Sequence, residues 1–365
     1  MDYLEELFLS YVGWNIEDSY ANVILSSKSI LDFDVPRGAS LHVSSQTSDN
    51  SFTDYTLSNF GALNGSVAYL YSSCPKLAEP SWKIPLQKLV QCYRQYPLTV
   101  PTSRNQPRSG NGSFLYGRMY LPGQQLEAIY MQSLGRSAQL VAKWVVDQRL
   151  ASPLVLTVNL HSASKNWTRE FLYSTQENLI GFRCLTNLGN WTDPEGQSRL
   201  DTGMEMFYAA NKKSPGISAG VRYFTHSRYS AVPLTLTLVS NPLMGSVSAA
   251  YSLKPTPLSA LSTRFDFNLY SYMSDLTIGC ELWRNTPISL QSEYYTEKEQ
   301  KKKTPSNRRE GPVSVIKAST SLASQSAQIM WEGSLRDFLV STGVRFCYGD
   351  RAAPVMFGME FVYSS

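Results

Sequence analysis

The chain has 365 residues, of which 42% are hydrophobic and 17% are charged, and its formal net charge at pH 7 is +4. The charged fraction is below the roughly 25% of a typical soluble domain, and so small a positive charge does not argue for a nucleic-acid partner. No run of about 18 or more apolar residues is present, which excludes membrane-spanning helices. If the chain spans a membrane, it does so as a closed β-barrel.

The cysteines and the first residues bear on the compartment. Five cysteines are present, widely spaced and without a CxxC pair, so they indicate neither a disulfide framework nor a zinc site. The chain begins MDYLEELFLSYVGW, which has no positively charged first region, continuous apolar stretch or cleavage site. It matches neither a secretory signal nor an Arg-rich transit peptide. Because a bacterial outer-membrane protein normally carries an export signal, we expect a barrel imported into the mitochondrial outer membrane.

Residues 1–39 differ from the rest of the chain. Apolar side chains recur there at helical spacing, at Leu4, Leu7, Phe8, Tyr11 and Trp14. This spacing predicts a short amphipathic helix, followed by a turn at Pro36 and Gly38. Two interpretations are open: a helix packed in a core, or a plug inside the lumen of a barrel. The predicted organisation is an N-terminal helical segment or lumen plug over 1–39 and a barrel over 40–365.

From about residue 40 onward, apolar and polar residues alternate. In residues 153–162 one side of the predicted strand carries Leu154, Leu156, Val158 and Leu160, and the other carries Thr157, Asn159 and His161. Successive strand side chains point to opposite faces, so each such segment has one apolar and one mixed face. About nineteen segments of this kind predict a closed sheet with lipid outside and a polar lumen.

The predicted strands lie near 40–48, 64–72, 113–122, 125–133, 137–147, 153–162, 166–176, 179–188, 200–210, 216–226, 231–240, 244–253, 260–270, 274–284, 288–296, 313–320, 325–333, 337–347 and 353–363. The predicted fold is all-β: a porin-like transmembrane antiparallel barrel of about 19 strands, with parallel first and last strands and an N-terminal helix in the lumen. A soluble all-β enzyme or lectin-like domain is the alternative. Apolar faces on almost every strand exceed what a two-sheet sandwich buries.

Two connections between predicted strands are long. Residues 73–112 include a helix-like piece over 81–96, in which Trp82, Leu86, Leu89, Val90 and Tyr93 share one side. Residues 297–312 carry six basic residues, namely Lys298, Lys301, Lys302, Lys303, Arg308 and Arg309. The basic connection is either a solvated, disordered loop or a surface for anionic lipid or an acidic partner.

The search for catalytic chemistry yields no candidate. No GxSxG, P-loop, HExxH or GxGxxG pattern occurs in the required context. The histidines His42, His161 and His226 lie far apart within strand patterns, which favours lumen or rim positions. Four carboxylates on predicted inward faces, Asp147, Asp266, Glu281 and Glu360, are expected to pair with Lys143 or Arg345. The sequence therefore predicts no enzyme, and no catalytic, cofactor or metal site.

The last strand carries a recognisable pattern. Gly358, Phe361 and Tyr363 follow the spacing Gly-x-x-hydrophobic-x-hydrophobic, which resembles the C-terminal sorting signal of mitochondrial barrels. The departure is Met356, where that signal usually has a polar residue. An insertion machine can recognise such an end strand by pairing with its backbone.

The N-terminal run is the most specific signal. Asp2-Tyr3, Trp14, the stretch SYANVILSS that begins at Ser19 and the stretch ILDFDVPRG that begins at Ile30 closely resemble the fungal family of mitochondrial distribution and morphology protein ten. The resemblance covers essentially the whole chain. It is strongest over residues 1–72 and weakest in the two long connections.

The resemblance implies a function that periodicity alone does not reach. It implies a non-enzymatic barrel in the mitochondrial outer membrane, at contact sites with the ER. Family members anchor the ER–mitochondria encounter structure, whose lipid-binding subunits support lipid exchange. A second pool joins the sorting and assembly machinery, with its core barrel and cytosolic subunits, and helps to assemble barrel precursors such as the translocase pore. A general metabolite porin or protein-import pore is the alternative, and a large conductance in planar bilayers would favour it.

Strand parity yields an expected orientation. If the last strand ends in the intermembrane space, residues 73–112, after the second predicted strand, face the cytosol, and residues 297–312, after the fifteenth, face the intermembrane space. We therefore expect separate contact faces. Tyr69 and Tyr71 with residues 73–112 would face the tether subunits, and Tyr294 and Tyr295 with the basic connection, including Lys301, Lys302 and Lys303, would face the assembly machinery. For all four tyrosines the simpler interpretation is an aromatic belt at the membrane boundary.

Overall fold

The computed structural model describes residues 16–73, 84–94, 112–123, 125–135, 137–147, 154–164, 166–188, 198–225, 232–285, 313–335, 338–349 and 355–364, together with residues 5, 8, 9, 12 and 14. Its strands are β1 Gly38–Ser48, β2 Ser51–Phe60, β3 Ala62–Ser72, β4 Ser113–Leu121, β5 Leu126–Ser133, β6 Ala138–Val146, β7 Leu154–Ala163, β8 Trp167–Ser174, β9 Leu179–Asn187, β10 Ser198–Ala209, β11 Ser214–Thr225, β12 Leu234–Asn241, β13 Ser246–Thr256, β14 Ser259–Asn268, β15 Ser274–Arg284, β16 Ser314–Ser321, β17 Ser326–Leu335, β18 Phe338–Cys347 and β19 Met356–Ser364.

These strands form one closed sheet. Each strand pairs with its neighbours in chain order, and β1 also pairs with β19, so the 19-stranded sheet has no free edge. Neighbours are antiparallel, whereas β1 and β19 are parallel, in a register that runs from Gly38 opposite Gly358 to Ser44 opposite Ser364. An odd number of alternating strands makes the first and last run in the same direction. The predicted barrel with parallel end strands is confirmed.

Helices are short in the part of the chain that the structure describes. They are α1 Leu25–Leu31 and α2 Leu86–Leu89, with single 3₁₀ turns at Ile16–Asp18, Tyr20–Asn22 and Gln176–Asn178. Helix α1 ends at Leu31, and the amide of the next residue, Asp32, donates to the carbonyl of Lys28. Pro36, which cannot continue a helix, follows shortly after. None of the described helices is long and apolar enough to cross a membrane.

The two faces of the sheet differ in chemistry. In β10, Met204, Met206 and Tyr208 are exposed on the outer face, while Arg199 and Asp201 are buried on the inner face. The other strands repeat this alternation, because strand side chains point to opposite faces in turn. The barrel therefore has an outer wall rich in exposed apolar side chains and an inner wall that carries most of its charge.

One strand was not predicted. Residues Ser51–Phe60 form β2, which pairs with both β1 and β3. The predicted strand at 288–296 lies outside the described residues. The total of about nineteen was therefore reached with a different set of strands. As a result, the second to fourteenth predicted strands correspond to β3 to β15.

This shift overturns the predicted separation of the two long connections. Residues 73–112 follow β3, and the connection that contains residues 297–312 follows β15. Both strands are odd-numbered, and all odd strands run the same way in the barrel. Both connections therefore leave from the edge where odd strands end, which we name the odd-end rim. The opposite edge, where odd strands begin, is the odd-start rim.

Candidate functional site

The N-terminal segment lies inside the barrel and follows the inner wall in strand order. Its described residues touch, in turn, Phe114 of β4 through Phe8, His161 of β7 through Trp14, Arg199 of β10 through Asp18, Ser218 of β11 through Tyr20, Ala260 of β14 through Ile30 and Ser319 of β16 through Leu31. It then passes Gly358 of β19 at Pro36 and enters β1 at Gly38. The segment thus makes nearly a full circuit of the lumen.

The start of this circuit is apolar. Phe8, Leu9 and Val12 are buried in a cluster with inward residues of β2 to β6, namely Phe52, Ala68, Leu70, Phe114, Tyr116, Met131 and Val141. The rings of Phe8 and Phe114 have centroids 5.3 Å apart. Polar lumen walls normally face water, so an apolar patch on this stretch of the wall is explained by the segment that covers it.

The middle of the circuit is an ion cluster. Asp201 of β10 is completely buried between Arg199 and Arg222, with Arg199 Nε 2.7 Å from Oδ1 and Arg222 Nη2 2.6 Å from Oδ2. The N-terminal segment completes the cluster, because Asp18 Oδ1 lies 3.1 Å from Arg199 Nη2 and the Glu17 carbonyl accepts from Arg222 at 3.2 Å. Without Asp18, two guanidinium groups would share one carboxylate in a buried place, which is costly.

Tyr20 continues the circuit beside this cluster. Its hydroxyl hydrogen-bonds the Ser218 hydroxyl at 2.9 Å, and its ring packs with Val23 and Leu185. A Cβ at Gly203 would lie 2.5 Å from the Tyr20 ring, so the glycine leaves the space that the ring fills. Burial raises the pKa of the Tyr20 phenol above its ordinary value, which keeps the hydroxyl neutral.

Side chains of β14, β16 and β17 bind helix α1 at its C-terminal end. The Leu31 carbonyl accepts hydrogen bonds from Ser319 Oγ at 2.9 Å and from Gln328 Nε2 at 3.1 Å. Asp32 pairs with Arg264 of β14. The last carbonyl groups of a helix lack partners within the helix. Here side chains of β16 and β17 donate to the Leu31 carbonyl, and Arg264 of β14 pairs with the Asp32 carboxylate, which fixes where the helix ends in the lumen.

A second segment also lies inside the lumen, beside helix α1. Leu86 and Val90 are buried against Trp283 of β15 and Val315 of β16. Further along, Tyr93 packs against Ile30 of helix α1 and Ala260 of β14. Residues 84–94, which we name the inserted segment, belong to the long connection after β3. The expectation that residues 73–112 face outside partners is therefore wrong for this part.

Polar groups hold the inserted segment. The Tyr93 amide donates to Glu281 Oε2 at 3.1 Å, and the Tyr93 hydroxyl bonds the Thr235 hydroxyl at 3.1 Å. Lys317, which is 1% exposed, lies 2.8 Å from Glu332 and donates to the Gln91 carbonyl. The helix predicted over 81–96 is limited to α2 within the described residues, since Val90 already has extended backbone angles.

The thiol of Cys92 shares this environment. Burial raises the pKa of Cys92 to about 11, and the nearby Glu281 carboxylate acts in the same direction. The thiol donates to the Gln87 carbonyl at 3.3 Å. A protonated thiol is a poor nucleophile, so we expect Cys92 to react slowly while the inserted segment stays in place.

Gly358 of the predicted sorting signal faces inward at the seam between β1 and β19. A Cβ there would overlap the Pro36 carbonyl group and lie 2.8 Å from the Arg37 amide nitrogen. Phe361 and Tyr363 lie on the outer face, and the Tyr363 ring is 5.3 Å from that of Phe338. The sequence motif pointed to this glycine, but it gave no sign that the N-terminal segment passes over it.

Comparison with known proteins identifies the family. The family model described as mitochondrial distribution and morphology protein 10 matches residues 1–312 and 308–365. The chain belongs to the mitochondrial distribution and morphology protein 10 family. The resemblance seen in the N-terminal residues is thereby confirmed over the whole chain.

Three fungal relatives illustrate the extent of the match. The mitochondrial distribution and morphology protein 10 of Yarrowia lipolytica is 36% identical, covering 100% of this chain and 99% of the relative. That of Meyerozyma guilliermondii is 35% identical with the same coverage. That of Clavispora lusitaniae is 39% identical over 78% of this chain and 64% of the relative. The family name concerns the distribution and morphology of mitochondria and specifies no reaction.

In this family member, the predicted partner residues fall into two groups. Tyr69 and Tyr71 of β3 are on the outer wall, with 48% and 40% of their surface exposed. The remaining candidates lie outside the described residues: Tyr294, Tyr295, Lys301, Lys302 and Lys303. The structure thus places the first pair on the apolar outer face, next to the odd-end rim.

The inward histidines and carboxylates pair differently from the prediction. His42 Nε2 lies 3.1 Å from Glu360 across the seam, and His161 Nδ1 lies 3.5 Å from Glu170; His226 lies outside the described residues. Asp266 pairs with Arg264, Asp147 accepts from Gln125, and Glu281 accepts from Tyr93 and Trp283. The predicted pairing with Lys143 or Arg345 is wrong for Asp266, Glu281 and Glu360, because neighbouring strands and inserted segments supply closer partners.

Across the described ranges, no three His, Cys, Asp or Glu residues are grouped as metal ligands.

Proposed function

We propose that this protein is a mitochondrial outer-membrane barrel that acts by binding other proteins. In one pool it anchors the complex that tethers the ER to mitochondria and supports lipid exchange through lipid-binding subunits. In a second pool it assists the assembly of barrel precursors, such as translocase subunits, in the sorting and assembly machinery. The observation that carries this proposal is a barrel with inserted chain along its inner wall and many exposed apolar groups on its outer wall.

The outer wall supports a membrane location. Large apolar side chains are exposed on strand after strand, for example Tyr55 of β2, Phe171 of β8 and Leu236 of β12. Soluble monomers rarely expose contiguous apolar patches of more than a few hundred Å². A sheet with such an outer face is stable when lipid covers it, and closure of the sheet leaves no unpaired backbone in the hydrocarbon.

The chain inserted in the lumen argues against a general porin. A wide porin keeps a water-filled channel, whereas here the N-terminal segment circles the wall and the inserted segment packs on β12 to β16. Buried ion pairs and apolar clusters hold both in place. The surfaces left for partners are the outer wall and the rims.

The contact faces are revised accordingly. Because both long connections leave from the odd-end rim, we infer that they begin on the same side of the membrane. We propose instead that the two complexes contact different parts of the protein on that side. One complex would contact the outer wall at Tyr69 and Tyr71, and the other the basic stretch with Lys301, Lys302 and Lys303, beside Tyr294 and Tyr295.

Co-purification from mitochondria tests this proposal. The double variant Tyr69→Ala, Tyr71→Ala is compared with the triple variant Lys301→Glu, Lys302→Glu, Lys303→Glu. Tyr55→Ala is the control, because Tyr55 is at least as exposed on the outer face of the neighbouring strand. We expect each test variant to lose one complex and keep the other, and the control to keep both. Equal loss of both complexes from both variants would contradict the division.

Planar bilayers test the alternative of a pore. The purified full-length chain is expected to show a much lower unit conductance than an open barrel of this size, because the lumen is lined by inserted chain. A large, steady conductance of the intact protein, with both complexes unaffected by the variants above, would favour a metabolite porin or import pore.

A further inference from the structure

The outer wall carries two charged side chains among the outward positions of the described strands, and both are arginines. They are Arg169, the third residue of β8, and Arg284, the last residue of β15. Even strands begin and odd strands end at the odd-end rim, so both arginines lie toward the same edge of the barrel. The outward positions of the described strands hold no carboxylate.

Five inward arginines of the described strands behave differently, and a sixth, Arg345, donates to the Gln328 amide oxygen. Arg118, Arg183, Arg199, Arg222 and Arg264 each have a carboxylate oxygen within hydrogen-bonding or ion-pair distance. Arg169 is exposed, and no ion pair of the described residues includes it. Its guanidinium instead lies over the ring of Trp167, with Cζ 4.0 Å from the ring centroid. The cation–π contact orients the group but does not neutralise it.

The surroundings of Arg169 divide into a polar and an apolar part. Its strand neighbours are Ser162 of β7 and Cys184 of β9, and Trp167 lies opposite Thr186. Ser162 and Thr186 thus provide two hydroxyl-bearing residues on the outer face, beside Arg169 and Trp167. Further from the rim, Phe171 is 54% exposed, and its ring centroid is 5.1 Å from that of Phe182.

We propose that Arg169, stacked on Trp167, binds the phosphate group of an anionic phospholipid at the odd-end rim. A guanidinium offers a planar pair of donors that matches phosphate oxygens, and tryptophan favours the level of the lipid headgroups. The Phe171 and Phe182 rings are placed to contact the acyl chains of the same lipid.

The absence of outward carboxylates among the described strands selects the headgroup. A zwitterionic headgroup would bring an ammonium group to a wall with no described carboxylate to receive it. An anionic headgroup, such as phosphatidylglycerol, adds no unmatched cation. The apolar rings on the membrane side favour a lipid over a soluble phosphate, because a soluble phosphate would leave them without a partner.

Lipid titration in detergent, read by native mass spectrometry, tests this proposal on the full-length chain. The probe is dioleoyl phosphatidylglycerol, with dioleoyl phosphatidylcholine as comparison. Arg169→Gln should weaken the first phosphatidylglycerol-binding step about tenfold, since it removes charge-assisted hydrogen bonds. Arg169→Lys keeps the charge without the planar fork and should fall between Arg169→Gln and the unchanged protein.

The matched control is Lys212→Gln, which removes one positive charge from an exposed turn at the odd-start rim. It should change phosphatidylglycerol binding less than about twofold, and no variant should change phosphatidylcholine binding.

An unchanged phosphatidylglycerol affinity in Arg169→Gln, or an equal loss of affinity in Lys212→Gln, would overturn the proposed lipid site. Competition by soluble glycerol phosphate at the same concentration would overturn the assignment to a lipid. Loss of a co-purifying protein in Arg169→Gln, with lipid affinity intact, would assign Arg169 to a protein contact.

Discussion

The backbone of Pro36 lies directly over Gly358, so the end of the N-terminal segment covers the glycine of the C-terminal motif. A Cβ at Gly358 would overlap the Pro36 carbonyl group. Two residues further on, Gly38 opens β1, and it pairs with Gly358 in the parallel seam. Closure of the barrel and placement of the N-terminal segment are therefore linked at one residue.

The first prediction concerns that residue. Gly358→Ala should destabilise the folded barrel by about 1–3 kcal/mol, because the added methyl group displaces the Pro36 backbone from a packed position. Equilibrium unfolding in detergent with urea measures the change, on protein refolded from the purified chain so that cellular sorting does not contribute.

Gly117→Ala is the matched control for this measurement. Gly117 also lies inside a strand, but no atom is within 4 Å of a Cβ placed there. The control should leave stability within about 0.5 kcal/mol of the unchanged protein. Similar losses in both variants would show that the contact with Pro36 does not limit closure.

The second prediction concerns the link between the N-terminal segment and the ion cluster. Asp18→Asn removes the carboxylate that faces Arg199 at 3.1 Å. We expect a loss of about 2 kcal/mol, the usual contribution of a hydrogen bond to a charged group. Faster proteolytic cleavage within residues 16–31 should accompany it, because the segment leaves the wall more often.

Glu177→Gln serves as the comparison for Asp18→Asn. Glu177 pairs with Lys212 in exposed turns at the odd-start rim, where an ion pair contributes between about 0 and 1 kcal/mol. It should leave both stability and cleavage nearly unchanged. If Asp18→Asn is as mild as Glu177→Gln, the ion cluster does not hold the segment.

Sequence periodicity predicted most strands because one face of each is continuously apolar. In β7 the outward residues are all leucine or valine up to Leu160, and that strand was placed within a residue. In β2 the outward face mixes Tyr55 and Leu57 with Thr53 and Asn59. This weaker contrast hid the strand, and the missing strand reversed the inferred side of the first long connection.

The filling of the lumen was only partly predictable. Helical spacing near the N-terminus predicted a helix and left open whether it is a lumen plug, and the circuit of the wall depends on partners in many strands. The inserted segment reads as an amphipathic helix, yet its apolar residues are buried by Trp283 and Val315. Such pairings join residues far apart in the chain, and local pattern carries no information about them.

The third prediction tests the anchor of the inserted segment. Lys317→Met should destabilise the protein by about 3–5 kcal/mol, since it leaves the Glu332 carboxylate buried without its cation. It also removes the donor to the Gln91 carbonyl. Trypsin should then cut faster after Lys88 and Arg94.

Replacement of both partners provides the control for Lys317→Met. The double variant Lys317→Met, Glu332→Leu removes the unpaired charge as well, and it should recover part of the lost stability. Trypsin should still cut the double variant faster than the unchanged protein, because the hydrogen bond to the Gln91 carbonyl is absent. No recovery in the double variant would show that the buried charge is not the cause.

The fourth prediction uses Cys92 to report whether the inserted segment is in place. In a variant whose other four cysteines are serine, Cys92 should react slowly with iodoacetamide at pH 8, because burial holds the pKa of its thiol at about 11. The raised pKa favours the neutral thiol, so the rate should keep rising with pH up to about 11. Leu86→Ala, which removes part of the packing against Trp283 and Val315, should speed the reaction at pH 8. It should also shift the midpoint of the pH–rate curve toward the ordinary thiol pKa near 8.5.

A single-cysteine protein that retains the exposed Cys347 is the control. It should react quickly and be unaffected by Leu86→Ala. Fast reaction of Cys92 at pH 8 in the unchanged segment would mean that residues 84–94 leave the lumen freely.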